Sequence, residues 1–241
     1  MVEQTIQVGL GERSYPITIG PGVMKLIGAY LKDGAIAKRF AIISDDNVAA
    51  LYGELMQQTL RQAGVACELI VFPHGEANKN LSTIGELASE LAERGFDRGD
   101  GLLALGGGVT GDITGFLAAI YMRGIPFIQV PTSLLAQVDS SVGGKTGVDI
   151  PQGKNLIGAF YQPRAVFIDT TALNTLPAEE FLGGMAEVIK YGASIDADFF
   201  SWLGQNRQAI LVLEPTVIAR MIRRCCEMKA SEIGRASCRE R

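Results

Sequence analysis

The chain is short of histidine, of paired cysteines, of long apolar runs and of charge of one sign, and each shortage narrows what it can do. His74 is its one histidine, so a zinc site built from histidine and cysteine lacks most of its usual ligands. The four cysteines, Cys67, Cys225, Cys226 and Cys238, show no C-x-x-C spacing. Two of them are adjacent, a poor start for a disulfide framework or a zinc site, so reduced thiols are expected. No apolar run reaches the length of a membrane span, and the opening stretch MVEQTIQVGLGERSYPITIG has no basic segment followed by an apolar one. No membrane partner and a cytoplasmic location are therefore expected. Lys+Arg 22 against Asp+Glu 26 leaves a net charge of -4, which speaks against nucleic acid as a partner.

What is present is ample material for a core: 241 residues, 47% of them hydrophobic, the length of one large domain or one and a half ordinary ones. Residues 4–8 and 15–19 alternate apolar with polar side chains and read as an antiparallel hairpin ahead of the main sheet. Helical spacing over 23–31, a β-rich run at 40–44, helical spacing over 48–63, a strand at 69–72 and a helix over 82–94 follow. The runs at 102–105 and 125–130 read as further strands. Strands alternating with helices imply a parallel sheet covered on both faces, and in such sheets ligands sit beyond the carboxyl ends of the strands.

The residues at those ends carry the chemistry. After the 102–105 strand, Gly106, Gly107 and Gly108 remove three side chains in succession. Without Cβ atoms the backbone there can take positive φ and approach a ligand closely, so that a helix amino end can cradle a phosphate. Gly106 to Gly111 satisfies G-x-G-x-x-G, but no acid follows about twenty residues on, the nearest being Asp139. A pyrophosphate cradle and a plain tight turn both fit. Asp45, Asp46 and Asn47 follow the 40–44 strand, and His74-Gly75-Glu76-Ala77-Asn78-Lys79 follows the 69–72 strand. Their acids could hold a ribose, or Asp46 and Asn78 could cap helices. Pro131-Thr132-Ser133 closes the 125–130 strand.

Residues 139–155 read as a turn-rich loop of small polar groups. Asp139 to Thr146 nearly spells a P-loop, but Asp139 stands where glycine is needed, and Gly147 and Pro151 interrupt the helix that should follow. The loop's Lys145, Lys154 and Asn155 suit an anionic sugar-like ligand, or are simply solvated. From 178 to 191 a helix places Phe181, Met185 and Ile189 on one face and Glu187 with Lys190 on another, an ordinary surface ion pair or one oxygen ligand of a metal. A last helix is expected over 216–230. Residues 234–241 have no apolar period and look vector-encoded.

Three stretches, GGGVTGDITGFLAAIYMRG, PTSLLAQVDSSVGGKTGVDIPQGKNLIGAFYQP and LPAEEFLGGMAEVIKYG, together resemble the 3-dehydroquinate synthase family, and the likeness covers residues 1 to about 233. The fold class is α/β. The resemblance implies an N-terminal Rossmann-like parallel sheet with helices on both faces, residues 1–176, followed by the start of an all-helical C-terminal metal and substrate domain, 177–233.

The implied reaction converts 3-deoxy-D-arabino-heptulosonate 7-phosphate into 3-dehydroquinate and phosphate. NAD is recycled, and Zn2+ or Co2+ polarises the oxygen being oxidised. By resemblance, Gly107, Gly108, Val109, Thr110, Gly111, Asp112, Thr132 and Ser133 line NAD, with Glu76, Lys79 and Asp45 on its nucleoside side. Lys145 and Lys154 are shared between cofactor and substrate. With Asn155 and Lys190 they hold substrate oxygens, and Asp139 sits beside the reacting hydroxyl. Arg123 reaches the phosphate across a homodimer interface. Glu187 is the one metal ligand in place, the two histidines that complete the family's site lying beyond the point where this chain leaves the pattern. A related cyclase making an inosose or a valiolone, and an NAD-binding fragment without catalysis, are the competing expectations.

Overall fold

The computed structural model describes residues 3–239, with side chains from 3 to 233. The chain begins with β1 (Gln4–Val8) and β2 (Tyr15–Gly20), then a 3-10 turn and α1 (Ile27–Gly34). Next come β3 (Arg39–Asp45), α2 (Asp46–Val48), a π-helical turn (Ala49–Gly53) and α3 (Glu54–Gln62). β4 (Ala66–Phe72), α4 (Leu81–Glu93), β5 (Gly101–Gly106), α5 (Gly108–Ile120) and β6 (Phe127–Pro131) complete the alternating part. A separate hairpin, β7 (Lys145–Ile150) with β8 (Gly153–Phe160), precedes β9 (Val166–Asp169). The helices α6 (Ala178–Ser194), α7 (Ala197–Gln205), α8 (Arg207–Leu211) and α9 (Pro215–Arg239) follow.

Seven strands form one sheet in the order β1-β2-β9-β6-β5-β3-β4. Only the β1–β2 pair is antiparallel. The alternation of the strands explains the two cores. Phe40, Ile42, Leu103, Leu105, Ile128 and Val130 point to one face and meet Ile27, Leu31, Met56 and Leu60 of α1 and α3. Their neighbours Ala41, Ile43, Ile70, Leu102 and Phe127 point to the other and meet Leu87, Leu91, Ile113 and Leu117 of α4 and α5. Strands buried on both sides read as continuous apolar runs. The chain turns back between β3 and β5, so the carboxyl ends of those two strands frame the crevice where α/β sheets bind ligands.

A third core joins Tyr15, Ile17 and Ile19 of β2 and Val166 and Ile168 of β9 to Val188 and Tyr191 of α6 and to Ile218, Met221, Ile222, Cys225 and Cys226 of α9. The apolar side of α9 is therefore covered. On α6 the buried stripe is Phe181, Gly184, Val188 and Tyr191, whereas Ile189 is 46% exposed. The helix is rotated so that Ile189 leaves the face assigned to it.

Four further differences have local causes. The first hairpin does not stand ahead of the sheet, since β2 pairs with β9 along Ile17–Gly20. β9 itself, only four residues long, was not anticipated. The 139–155 stretch is no open loop, because β7 and β8 pair from Lys145↔Phe160 to Ile150↔Gly153. Gly147 and Gly158 serve close approach there, not turning: a Cβ on Gly158 would stand 2.0 Å from the Thr146 carbonyl oxygen, and one on Gly147 would stand 2.6 Å from that of Ile157. Lastly, α9 continues to Arg239, past the expected end at 230. The proposal that 234–241 is foreign falls on side chains outside those described. Cys67, Cys225 and Cys226 are free thiols, and Cys238 has no described side chain.

Candidate active site

The glycine turn lies at the carboxyl end of β5 and opens α5, whose N-cap residue Gly107 makes no side-chain cap. The first N–H groups of α5 are thus left for another acceptor. None of Gly106, Gly107 and Gly108 uses the freedom to take positive φ. Glycine is needed here for space. A Cβ on Gly106 would stand 2.4 Å from Thr110 Oγ1, and one on Gly111 2.7 Å from Gln129 Oε1, so both let α5 sit close against the sheet. A Cβ on Gly107 would meet nothing nearer than Ser133 Oγ at 3.5 Å. That position borders open space, the cradle a ligand would fill.

β3 brings Asp45 to the same place. Its Oδ1 accepts from Val48 N at 3.0 Å and its Oδ2 from Thr110 Oγ1 at 3.0 Å, which ties the end of β3 to the first turn of α5. Helix capping is done by Asp45 and by Asn80, not by Asp46 and Asn78. Asp46 instead accepts from His74, whose Nδ1 is 2.7 Å from Oδ1. This contact, led by the hydrogen bond, holds the Asp46 carboxyl below its ordinary value. Val109 packs against the α4–α5 core, and Thr132 is buried with its N–H on the Gly106 carbonyl oxygen.

The hairpin closes the other side. A cavity of about 420 Å3 is lined by Asp112, Asp139, Ser140, Lys145, Asn155, Leu156, Phe160 and Lys229 among others. Lys79, 4% exposed, donates to Asp112 Oδ2 at 2.5 Å and to Asn155 Oδ1 at 2.6 Å. Burial raises the Asp112 carboxyl above its ordinary value, and the Lys79 ammonium opposes the rise. Lys154 pairs with Glu76 at 2.9 Å on the rim, a hydrogen bond that raises the lysine. Lys145 is exposed and has no partner among the described residues, and Ser140 Oγ is buried without one. A cation and an orphaned hydroxyl lining one cavity suit an anionic, oxygen-rich ligand.

On α6, Lys190 Nζ lies 2.8 Å from Glu187 Oε1, and this bond raises the lysine. Tyr191 and Lys229 both donate to Asp139 Oδ1, at 2.9 and 2.6 Å. Sequence reasoning missed both, along with Ser140. Lys229 lies 90 positions from Asp139 with no motif to join them, whereas Tyr191 was within reach, being i+4 from Glu187 on a helix. Arg123 stands apart: it follows the carboxyl end of α5, the far end of that helix from Gly107, in a turn where Met122, Arg123 and Gly124 all have positive φ. Among the described residues no three His, Cys, Asp or Glu side chains cluster as a metal site, so Glu187 alone does not make one.

The family models for 3-dehydroquinate synthase match the chain, the N-terminal one over residues 69–183 and the C-terminal one over 184–239. The 3-dehydroquinate synthase of Syntrophotalea carbinolica is 51% identical over 224 residues, which are 93% of this chain and 62% of that protein. The chain thus spans less than two thirds of that relative's length. Among solved structures, 2-deoxy-scyllo-inosose synthase complexed with carbaglucose-6-phosphate, NAD+ and Co2+ superposes with a TM-score of 0.85 at 27% identity, covering 95% of this chain and 62% of that one. ValA, the 2-epi-5-epi-valiolone synthase of Streptomyces hygroscopicus subsp. jinggangensis 5008 with NAD+ and Zn2+ bound, gives 0.84 at 30% identity over 94% of this chain and 63% of that one. With its motifs, its fold and its sequence in agreement, the chain belongs to the 3-dehydroquinate synthase family.

Proposed function

We propose that the chain supplies the NAD-binding and most of the substrate-binding part of a 3-dehydroquinate synthase, which closes 3-deoxy-D-arabino-heptulosonate 7-phosphate to 3-dehydroquinate with loss of phosphate. The observation that carries this reading is that Asp112, in the first turns of α5, also lines the cavity that holds Asp139, Lys145 and Asn155. The cofactor crevice and the polar cavity share a wall. NAD bound there would accept and return a hydride, making a neighbouring C–H acidic enough for phosphate to leave.

The chain's own residues prepare that chemistry. The uncapped start of α5, with Gly107, Gly108, Val109, Thr110 and Gly111, offers N–H donors to a pyrophosphate. Thr132 and Ser133 border it, and Asp45, Glu76 and Lys79 lie toward the nucleoside. Lys145, Lys154, Asn155 and Lys190 donate to substrate oxygens, and Asp139 accepts from a hydroxyl. Arg123, exposed and distant from the cavity, fits a role toward a second copy of the chain in a homodimer. Glu187 is one donor for Zn2+ or Co2+, but the described residues supply no set of three, so a metal there needs further ligands. A division at 176/177 is part of the same reading, as is a cytoplasmic enzyme, no described helix being long and apolar enough to cross a membrane.

A cyclase making an inosose or a valiolone is the second reading, favoured by the two structural neighbours. The 51% identity to a 3-dehydroquinate synthase supports the first more strongly. Phosphate release from the heptulosonate phosphate, with NAD and added zinc or cobalt, is expected from a version extended to the relatives' length and not from these 241 residues. Equal turnover by both would show that the metal site is complete without further ligands, and the assignment of Glu187 would fall.

A further inference from the structure

Asp139 lies in a π-helical turn, Ala136–Ser140, between β6 and the hairpin, and lines the cavity. Both protein donors to its side chain, the Tyr191 hydroxyl at 2.9 Å and the Lys229 ammonium at 2.6 Å, converge on one oxygen, Oδ1. Oδ2 has no donor among the described residues. Tyr191 is 2% exposed, on the buried stripe of α6, one residue after Lys190 and four after Glu187.

We infer that Tyr191 is a positioning residue: with Lys229 it holds Oδ1 of Asp139, so that Oδ2 is the oxygen presented to a substrate hydroxyl. The inference rests on the substrate site proposed above. Three observations support it. A carboxylate with one oxygen anchored twice has lost rotation about its last torsion, so its free oxygen occupies one place instead of two. The anchor comes from a side chain that itself cannot move, since Tyr191 is packed in the core shared by α6, α9 and β2. The phenol also remains a donor, because burial first, then the Asp139 charge and hydrogen bond, push its ionisation far up. An ammonium alone would not fix the geometry, its three protons turning freely on a flexible stem.

The test is a double-mutant cycle read by calorimetric titration of 3-deoxy-D-arabino-heptulosonate 7-phosphate into the 241-residue chain with NAD present. Asp139→Ala is expected to weaken binding ten- to a hundredfold and Tyr191→Phe by about tenfold, in the range for hydrogen bonds to charged groups. In the Asp139→Ala background, Tyr191→Phe is expected to change nothing further. Parent-like binding by Tyr191→Phe, or a loss that recurs undiminished without Asp139, would overturn the inference and leave the substrate site standing. A parent that binds NAD but gives no heat with the sugar phosphate would remove the substrate site, and the inference with it. If Tyr191→Phe does not fold, para-methylphenylalanine in place of Tyr191 fills the same volume without a donor and carries the same cycle.

Discussion

Lys79 holds Asp112 across 2.5 Å, and neither side chain is more than 16% exposed. Lys79 begins the turn into α4 and Asp112 lies on α5, so this pair clamps two elements over the carboxyl ends of the strands. With Asn155 on the second bond, the hairpin is clamped as well.

Breaking a buried pair leaves an uncompensated charge. Lys79→Met is expected to cost about 3 to 5 kcal/mol, the range for removing one partner of such a pair. Urea denaturation measures it. A loss below about 1 kcal/mol would place the pair with exposed ones.

Lys145 should behave oppositely. It is exposed and unpaired among the described residues, so Lys145→Ala should shift stability by no more than about 0.5 kcal/mol. Sugar phosphate affinity should fall by about 1.5 to 3 kcal/mol, or ten- to a hundredfold, if the ammonium meets a substrate oxygen. Unchanged affinity in calorimetry would make it a solvated lysine.

Asp196 caps α7 through Phe199 N, and Arg224 reaches its Oδ2. Those two contacts, in that order, lower its carboxyl below the ordinary 3.8. A depressed acid contributes stability above its unfolded value and loses it as pH falls through the folded one. Asp196→Asn, which keeps a capping oxygen but no charge, should be less stable than the parent at pH 7, with the gap closing below about pH 4. Melting curves at pH 7 and pH 3 decide, and a constant gap would contradict the charge argument.

Much of this was legible beforehand because burial on both faces writes apolar runs such as 40–44 and 102–105 into a sequence. The strand ends were therefore locatable, and with them Asp45, Gly107 and Thr132. The hairpin was not, since Gly147 and Gly158 resemble turn residues until the opposing backbone is seen at 2.6 and 2.0 Å, respectively, from their missing Cβ atoms. Ile189 was misplaced because a helical repeat leaves the choice between neighbouring stripes to the partner surface, here β2 and α9. The convergence of Tyr191 and Lys229 on Asp139 is a product of the third core and has no local signature.

Gly106 and Gly107 differ in what surrounds them, which separates folding from binding. Gly106→Ala would drive a Cβ to 2.4 Å from Thr110 Oγ1, so a stability loss of about 1 to 3 kcal/mol is expected from overpacking. A Cβ on Gly107 meets only Ser133, at 3.5 Å, so the fold should tolerate a side chain there.

The most direct test of the central claim is calorimetric titration of NAD into the parent chain and into Gly107→Val, with melting temperature measured for both. The parent should bind, and the variant should bind at least about tenfold more weakly at a similar melting temperature, because its side chain would occupy the place proposed for the pyrophosphate at the start of α5. Equal binding by the two, or none by the parent, would contradict the assignment of this crevice to NAD.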